Sequence, residues 1–230
     1  MSWLGVEEWQ AVLLSLKVAF WATLLSLPLA IAVAYALARG RFWGHGLLNG
    51  FVHLPLVLPP VVTGYLLLVF FGSQGLGGRV LEAVGLPLAF RWTGAVLAAA
   101  IMAFPLVVRA IRLSIEAVDA RLEDAAATLG ASPLRVFATV TLPMALPGVL
   151  AGAVLGFAKA MGEFGATITF VSNIPGETQT LPSAVYSFLQ VPGGESAAAR
   201  LVIIAVIIAM GALLLSEWLA RRMARKVAGA

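Results

Sequence analysis

Residues 201–215 contain no charged or strongly polar side chain. A helix crosses the hydrocarbon of a bilayer with about 20 apolar residues, and this run extends over about 197–219. Four stretches of the same kind precede it, at about 11–38, 47–71, 93–113 and 142–171. In lipid every backbone polar group needs an internal partner, so only helices and closed barrels span, and these runs are too long for barrel strands. Hydrophobic types make up 61% of the 230 residues and charged types 11%, against about 25% charged in a soluble domain. These features predict an all-α, polytopic helical membrane protein with five spans, forming one domain over residues 1–230.

An odd number of spans puts the termini on opposite sides, and Lys and Arg gather on the cytoplasmic one. Arg39, Arg41, Arg109, Arg112, Arg121, Arg135, Arg221, Arg222, Arg225 and Lys226 fall in one set of loops. Only Arg79, Arg91 and Arg200 fall in the other, while Lys17 and Lys159 lie inside spans. This bias predicts an external N-terminus and a cytoplasmic C-terminus. It also accounts for the net charge of +4 without nucleic acid as a partner. Glu7 and Glu8 ahead of a long apolar run argue against a cleavable signal peptide.

Several chemistries are excluded. With no cysteine there is no disulfide, thiolate metal site or cysteine nucleophile. Neither of the two histidines sits in a His-Glu-x-x-His pattern, and no metal-spaced cluster or Ser/His/Asp arrangement occurs. The chain is expected to bind no metal and to catalyse nothing by itself. It has no Gly-x-x-x-x-Gly-Lys-[Ser/Thr] segment, so any ATP must be hydrolysed by another chain.

The cytoplasmic stretch of about 119–140 has a helical pattern of its own. Asp119 suits a helix start, and Leu122, Ala125, Ala126 and Leu129 recur at helical spacing. Ala125, Ala126 and Ala127 leave a face with little bulk, open to close approach by another backbone. Gly130 suits a helix stop, and Ser132 with Pro133 suits a restart. Two short helices at a sharp angle are expected, projecting as a peg; an ordinary solvated connector is the alternative.

The order Asp124-Ala125-Ala126, then Gly130, then Val140-Thr141-Leu142-Pro143 resembles the EAA loop of the type I ABC importer permeases. That pattern is Glu-Ala-Ala, three residues, Gly, nine residues, Ile-x-Leu-Pro. Asp124 departs from its Glu, with Glu123 alongside, and Val140 departs from its Ile. The segments from Lys159 to Ile168, Asn173 to Pro182 and Gln190 to Glu195 are similar to the molybdate permease subunits within that class. The resemblance covers essentially the whole chain. It implies a permease fold in a bacterial or archaeal cytoplasmic membrane, and a homodimer of permease subunits. It further implies two cytoplasmic ABC ATPase subunits, which hold the ATP and Mg, and an extracytoplasmic oxyanion-binding protein. This chain would carry no cofactor. Glu123, Asp124, Ala125, Ala126, Gly130, Val140, Leu142 and Pro143 would then couple it to the ATPase.

A tetrahedral dianion crossing hydrocarbon needs hydroxyls, amide N–H groups or helix N-termini along its way. In the fourth span Lys159 and Glu163 stand at i,i+4, flanked by Gly162 and Gly165, with Thr167 and Thr169 beyond. Ionisable residues at membrane depth are pathway or gate candidates; a structural ion pair that fixes packing is the other reading. A bare Glu163 would repel a dianion, so its expected part is to orient Lys159 or the gate. His53 near the cytoplasmic end reads as a packed or solvated residue more readily than as a ligand. Pro55, Pro59 and Pro60 must break or kink the second span, as a hinge or as a packing adjustment.

On the outer side, Thr180 suits an N-cap and Pro182 a first helical turn. Leu181, Ala184, Val185, Phe188 and Leu189 share one face of the helix that follows. That face either packs on the bundle or, with Thr180, Leu181, Pro182, Tyr186 and Phe188, receives the binding protein. Trp92, Tyr186 and Trp218 fall near span ends, as interfacial anchors do. The expected function is import of molybdate or a similar oxyanion by alternating access. Sulfate or tungstate as cargo, and an ion-gradient-driven secondary transporter, are the competing readings.

Overall fold

The computed structural model describes residues 3–227; of the side chains beyond residue 219 it describes only Arg222, so those of Arg221, Arg225 and Lys226 lie outside the described residues. All the regular elements among the described residues are helices: α1 (Val6–Arg39), α2 (His45–Val57), α3 (Pro60–Phe71), α4 (Leu76–Ala83), α5 (Trp92–Glu116), α6 (Ala120–Thr128), α7 (Pro133–Val136), a π segment (Phe137–Thr141), α8 (Leu142–Met161), α9 (Gly165–Val171), α10 (Leu181–Leu189) and α11 (Glu195–Val227).

Helix α5 is the hub, packed along both α1 and α8. Small residues make this possible, because backbones in a membrane bundle approach closely only where side chains are short. Ala19, Ala22, Ala30 and Ala34 of α1 and Ala95, Ala98, Ala99 and Ala103 of α5 are all buried. On α8, a Cβ at Gly156 would stand 2.6 Å from Cγ2 of Val107, so only glycine fits that crossing.

Side-chain contacts fix the relative directions of the helices. Lys17, near the start of α1, sits 3.6 Å above the ring of Trp92 at the start of α5. Arg39, at the end of α1, donates to the Val118 carbonyl just past the end of α5. The two helices therefore run parallel, and the chain between them must return across the bundle. Glu8 of α1 pairs with Arg200 of α11, so α11 starts at the same end as α1. Four helices are long and apolar enough to cross a membrane, and α2 and α3 taken together make a fifth passage, the return between α1 and α5.

That second passage is not the continuous span over 47–71 that hydropathy suggests. It breaks at Leu58–Pro59, and α2 and α3 are bent by 111°. Pro59 and Pro60 lack N–H groups, so the carbonyls of Pro55 and Leu56 cannot receive their helical bonds. The fourth passage also differs from the expected 142–171. It occupies Pro133–Met161, and the chain then breaks at 162–164 before the short α9. The second helix of the expected peg is thus no separate element: α7 and the π segment lead straight into α8.

Candidate coupling loop and passage

Helix α6 forms as its sequence dictates. Asp119 takes the N-cap position and its Oδ1 accepts from Arg121 N at 3.0 Å. At the other end Gly130 has φ of +85°, a conformation that costs a side-chain-bearing residue strain. Ala131 N returns to the Ala126 carbonyl at 3.2 Å and closes the turn. Ser132 occupies the N-cap of α7 with Pro133 in its first turn, without a capping bond from the Ser132 side chain.

No residue of α6 is buried. Asp124 and Ala125 are exposed and Ala126 is half-buried. Leu129 and Leu134, on either side of the turn, are 88% and 76% exposed, and Leu122 is also open. An alanine-faced helix flanked by bare leucines presents apolar surface that nothing among the described residues covers.

Glu123 is the exception to this openness. Its Oε2 meets Arg39 Nε at 2.9 Å, and its Oε1 accepts from the Thr141 hydroxyl at 2.6 Å. Thr141 closes the π segment, where Leu142 N bonds back five residues to the Phe137 carbonyl. The wide turn has a local cause: Pro143 has no N–H for the Thr139 carbonyl and its ring would crowd it. Val140 and Leu142 are half-buried here, and Pro143 is exposed.

At the far end of α8, Lys159 Nζ and Glu163 Oε2 stand 2.9 Å apart. Glu163 is 2% exposed, and its other oxygen accepts from Ala166 N at 3.0 Å. The carboxylate thus joins α8 to α9 across the break. The Thr167 hydroxyl donates to the Phe164 carbonyl at 2.9 Å and that of Thr169 to the Gly165 carbonyl at 2.8 Å. Both spend their protons on their own helix. Gly165 does not open space beside the carboxylate: a Cβ there would stand 2.7 Å from Pro60 Cβ, so this glycine lets α9 lie against α3. Gly162, exposed at the end of α8, has nothing so close.

Helix α10 begins at Leu181 with Thr180 as N-cap and Pro182 in its first turn. Leu181 and Ala184 are buried in the bundle, with Val185 and Phe188 packed on the same cluster. Leu181 N donates to Ser15 Oγ of α1 at 2.6 Å. Thr180 and Leu181 are therefore interior and cannot face a partner, in contrast to the sequence expectation; Leu189, expected on the packed face, is exposed. Tyr186 is exposed, its ring centroid 5.4 Å from that of Phe164, and Pro182 is half-buried.

Between α1, α2, α3 and α5 lies a groove of about 790 Å³ lined almost wholly by apolar side chains, among them Trp21, Phe51, Trp92 and Phe104. Trp92 is thus half-buried, facing this groove and Lys17. His53 is half-buried and bonds through Nδ1 to the Asn49 carbonyl of its own helix at 2.8 Å. Reading the sequence missed Arg39 and Thr141 as site residues. Arg39 carried a signal, as the first cation of the basic loop set; Thr141 carried none.

A family model described as "Binding-protein-dependent transport system inner membrane component" matches residues 26–228. The chain is 63% identical over 215 residues to the molybdenum transport system permease protein ModB of Escherichia coli (strain K12), covering 93% of this chain and 94% of that protein. It is 62% identical over 221 residues to the ModB protein of Haemophilus influenzae, covering 96% of each. A probable sulfate transport system permease protein of Chlorella vulgaris is 33% identical over 180 residues, 78% of this chain and 68% of that one. Among solved structures, a chain of a bacterial ABC transporter for import of the acidic polysaccharide alginate superposes with a TM-score of 0.75. It shares 18% identity and covers 95% of this chain and 80% of that one. A chain of the MetNI methionine ABC transporter gives a TM-score of 0.70 at 15% identity, covering 94% of each.

Proposed function

The chain belongs to the family of binding-protein-dependent transport system inner membrane components, and we propose that it is the membrane-spanning permease of an ATP-driven importer of molybdate. The observation that carries this reading is helix α6: an uncovered, alanine-faced helix standing off an otherwise apolar bundle. A structure of that kind needs a partner, and its place in the EAA-like loop makes the partner a cytoplasmic ATPase. The chain works as a homodimer with two such ATPases, which bind the nucleotide and Mg, and an extracytoplasmic binding protein delivers the anion. The whole chain forms one transmembrane unit with its N-terminus outside and its C-terminus in the cytoplasm, as the distribution of Lys and Arg favours.

The mechanism follows from the parts. ATP-driven closure of the ATPases draws the two α6 helices together through Asp124, Ala125, Ala126 and the Gly130 turn. Val140, Leu142 and Pro143 carry that movement into the α8 passage, which opens outward; hydrolysis resets it inward. A dianion in the passage sees little net charge at the α8–α9 break, because Glu163 is occupied by Lys159 and a backbone N–H. Lys159, about a third exposed, is the member of that pair able to meet the anion, with Glu163 orienting it. On α10 the half-buried Pro182 and the exposed Tyr186 receive the outer partner, while Phe188 packs on the bundle. Identity of 63% to the molybdenum permeases against 33% to the sulfate permease favours molybdate as cargo.

Vesicles containing the chain, its ATPase and a molybdate-loaded binding protein test the reading. Uptake of labelled molybdate that needs ATP on the ATPase side is expected. Uptake driven by an imposed ion gradient with no ATPase present would overturn it.

A further inference from the structure

We propose that Arg39 and Thr141 set the angle of helix α6 through the Glu123 carboxylate, so that movement of α6 reaches two membrane passages at once. The inference rests on the coupling role proposed for α6 and extends it to Arg39, outside the EAA-like pattern, and to Thr141, at a position which that pattern leaves open.

The argument starts from what does not hold α6. None of its residues is buried and only Glu123 and Ala126 are half-buried, so apolar packing holds its orientation weakly. Among the described residues, the side-chain hydrogen bonds from α6 to another element are those of Glu123. Backbone continuity anchors the helix at its ends but leaves its tilt free. One carboxylate therefore carries the orientation.

Its partners lie on different elements. Arg39 is in the last turn of α1, and its guanidinium works as a fork: Nε to Glu123 Oε2 at 2.9 Å, and a second nitrogen to the Val118 carbonyl at 2.8 Å. The fork thus ties α1 both to α6 and to the junction leading into it. A planar guanidinium with fixed donor directions holds an angle in a way that a lysine ammonium does not. Thr141 is wholly buried at the entry to α8. Elsewhere in this protein Thr23, Thr139 and Thr169 donate to the carbonyl four residues back. Thr141 instead gives its proton to Glu123, eighteen positions away. Thr141 ends the π turn, a wide form rare in helices and frequent at functional sites, and Glu123 holds this last residue. A push on α6 is consequently delivered to the end of the first passage and the start of the fourth together.

The test uses Arg39→Gln and Thr141→Val in the assembled complex with its ATPase and binding protein. Both variants should assemble and hydrolyse ATP with unchanged KM for ATP, while molybdate moved per ATP falls roughly ten-fold, the span expected for a lost coupling contact. Thr141→Ser keeps the donor and should restore wild-type stoichiometry. A second measurement stands apart from transport: spin labels on α6 and on the loop after Arg39 should give one narrow distance in the wild type and a broad one in Thr141→Val. Wild-type stoichiometry together with a narrow distance in both variants would overturn the proposal. If the wild-type complex itself moves no anion with ATP, the functional reading fails while the distance measurement still judges the contact.

Discussion

Glu8 and Arg200, 192 positions apart, meet in a two-pronged ion pair: Nε to Oε1 at 2.9 Å and a second guanidinium nitrogen to Oε2 at 3.1 Å. Glu8 is buried, and its Oε2 also accepts from Gly5 N, where it closes the start of α1. The pair clamps the first passage to the last at one end of the bundle. Arg200 is about a third exposed, so its loss should cost less than the roughly 3–5 kcal/mol of a fully buried pair, on the order of 2 kcal/mol. Arg200→Gln should lower the thermal midpoint in detergent, and Glu8→Gln/Arg200→Gln should recover part of that loss. Identical midpoints for wild type and Arg200→Gln would mean that the clamp adds nothing.

Gly165 marks the place where α9 lies on α3. A side chain there meets the Pro60 ring rather than a movable side-chain tip, and overpacking of this kind costs about 1–3 kcal/mol. Gly165→Ala is expected to destabilise the chain and reduce uptake, whereas Gly162→Ala, with open space around it, should do neither through crowding. Equal stability of the two variants would contradict the close approach of α9 and α3.

The spans were legible because apolar length is a one-dimensional property, and the start and stop of α6 were legible because Asp119 and Gly130 act on their own backbone. The break at Pro59–Pro60 was half legible: proline announces an interruption but not a bend of 111°. The break at 162–164 was hidden, since the turn depends on Glu163 reaching Ala166 N. Glu123 with Arg39 was out of reach for a different reason. The two are 84 positions apart, and only the parallel course of α1 and α5 brings them together. Loop counting saw Arg39 as a topological charge and nothing more.

Lys159 and Glu163 allow the structural and the transport reading to be separated. Lys159→Met leaves a buried carboxylate with one backbone donor, which should cost on the order of 3 kcal/mol. Lys159→Met/Glu163→Gln removes both charges and keeps an acceptor for Ala166 N, so stability should return. If Lys159 meets the anion, uptake stays depressed in this double variant although its melting temperature matches the wild type. Full recovery of uptake along with stability would reduce the pair to a packing device.

Gly130 offers the sharpest test of the coupling turn, because strain alone is at stake there. No atom lies within 4 Å of where a Cβ would stand, so Gly130→Ala introduces no clash. What it does introduce is a left-handed alanine, at a cost of about 1–2 kcal/mol. The chain can escape that cost by letting the α6–α7 turn relax, since among the described residues Glu123 alone ties α6 to other elements by side-chain hydrogen bonds. The bundle should therefore melt as before, while affinity for the ATPase falls by about ten-fold, the equivalent of roughly 1.4 kcal/mol. Gly130→Asn, which tolerates the left-handed conformation better, should lie between the two. Binding of the ATPase to detergent-solubilised variants reads this directly, and wild-type affinity in Gly130→Ala would detach the turn from the partner's docking surface.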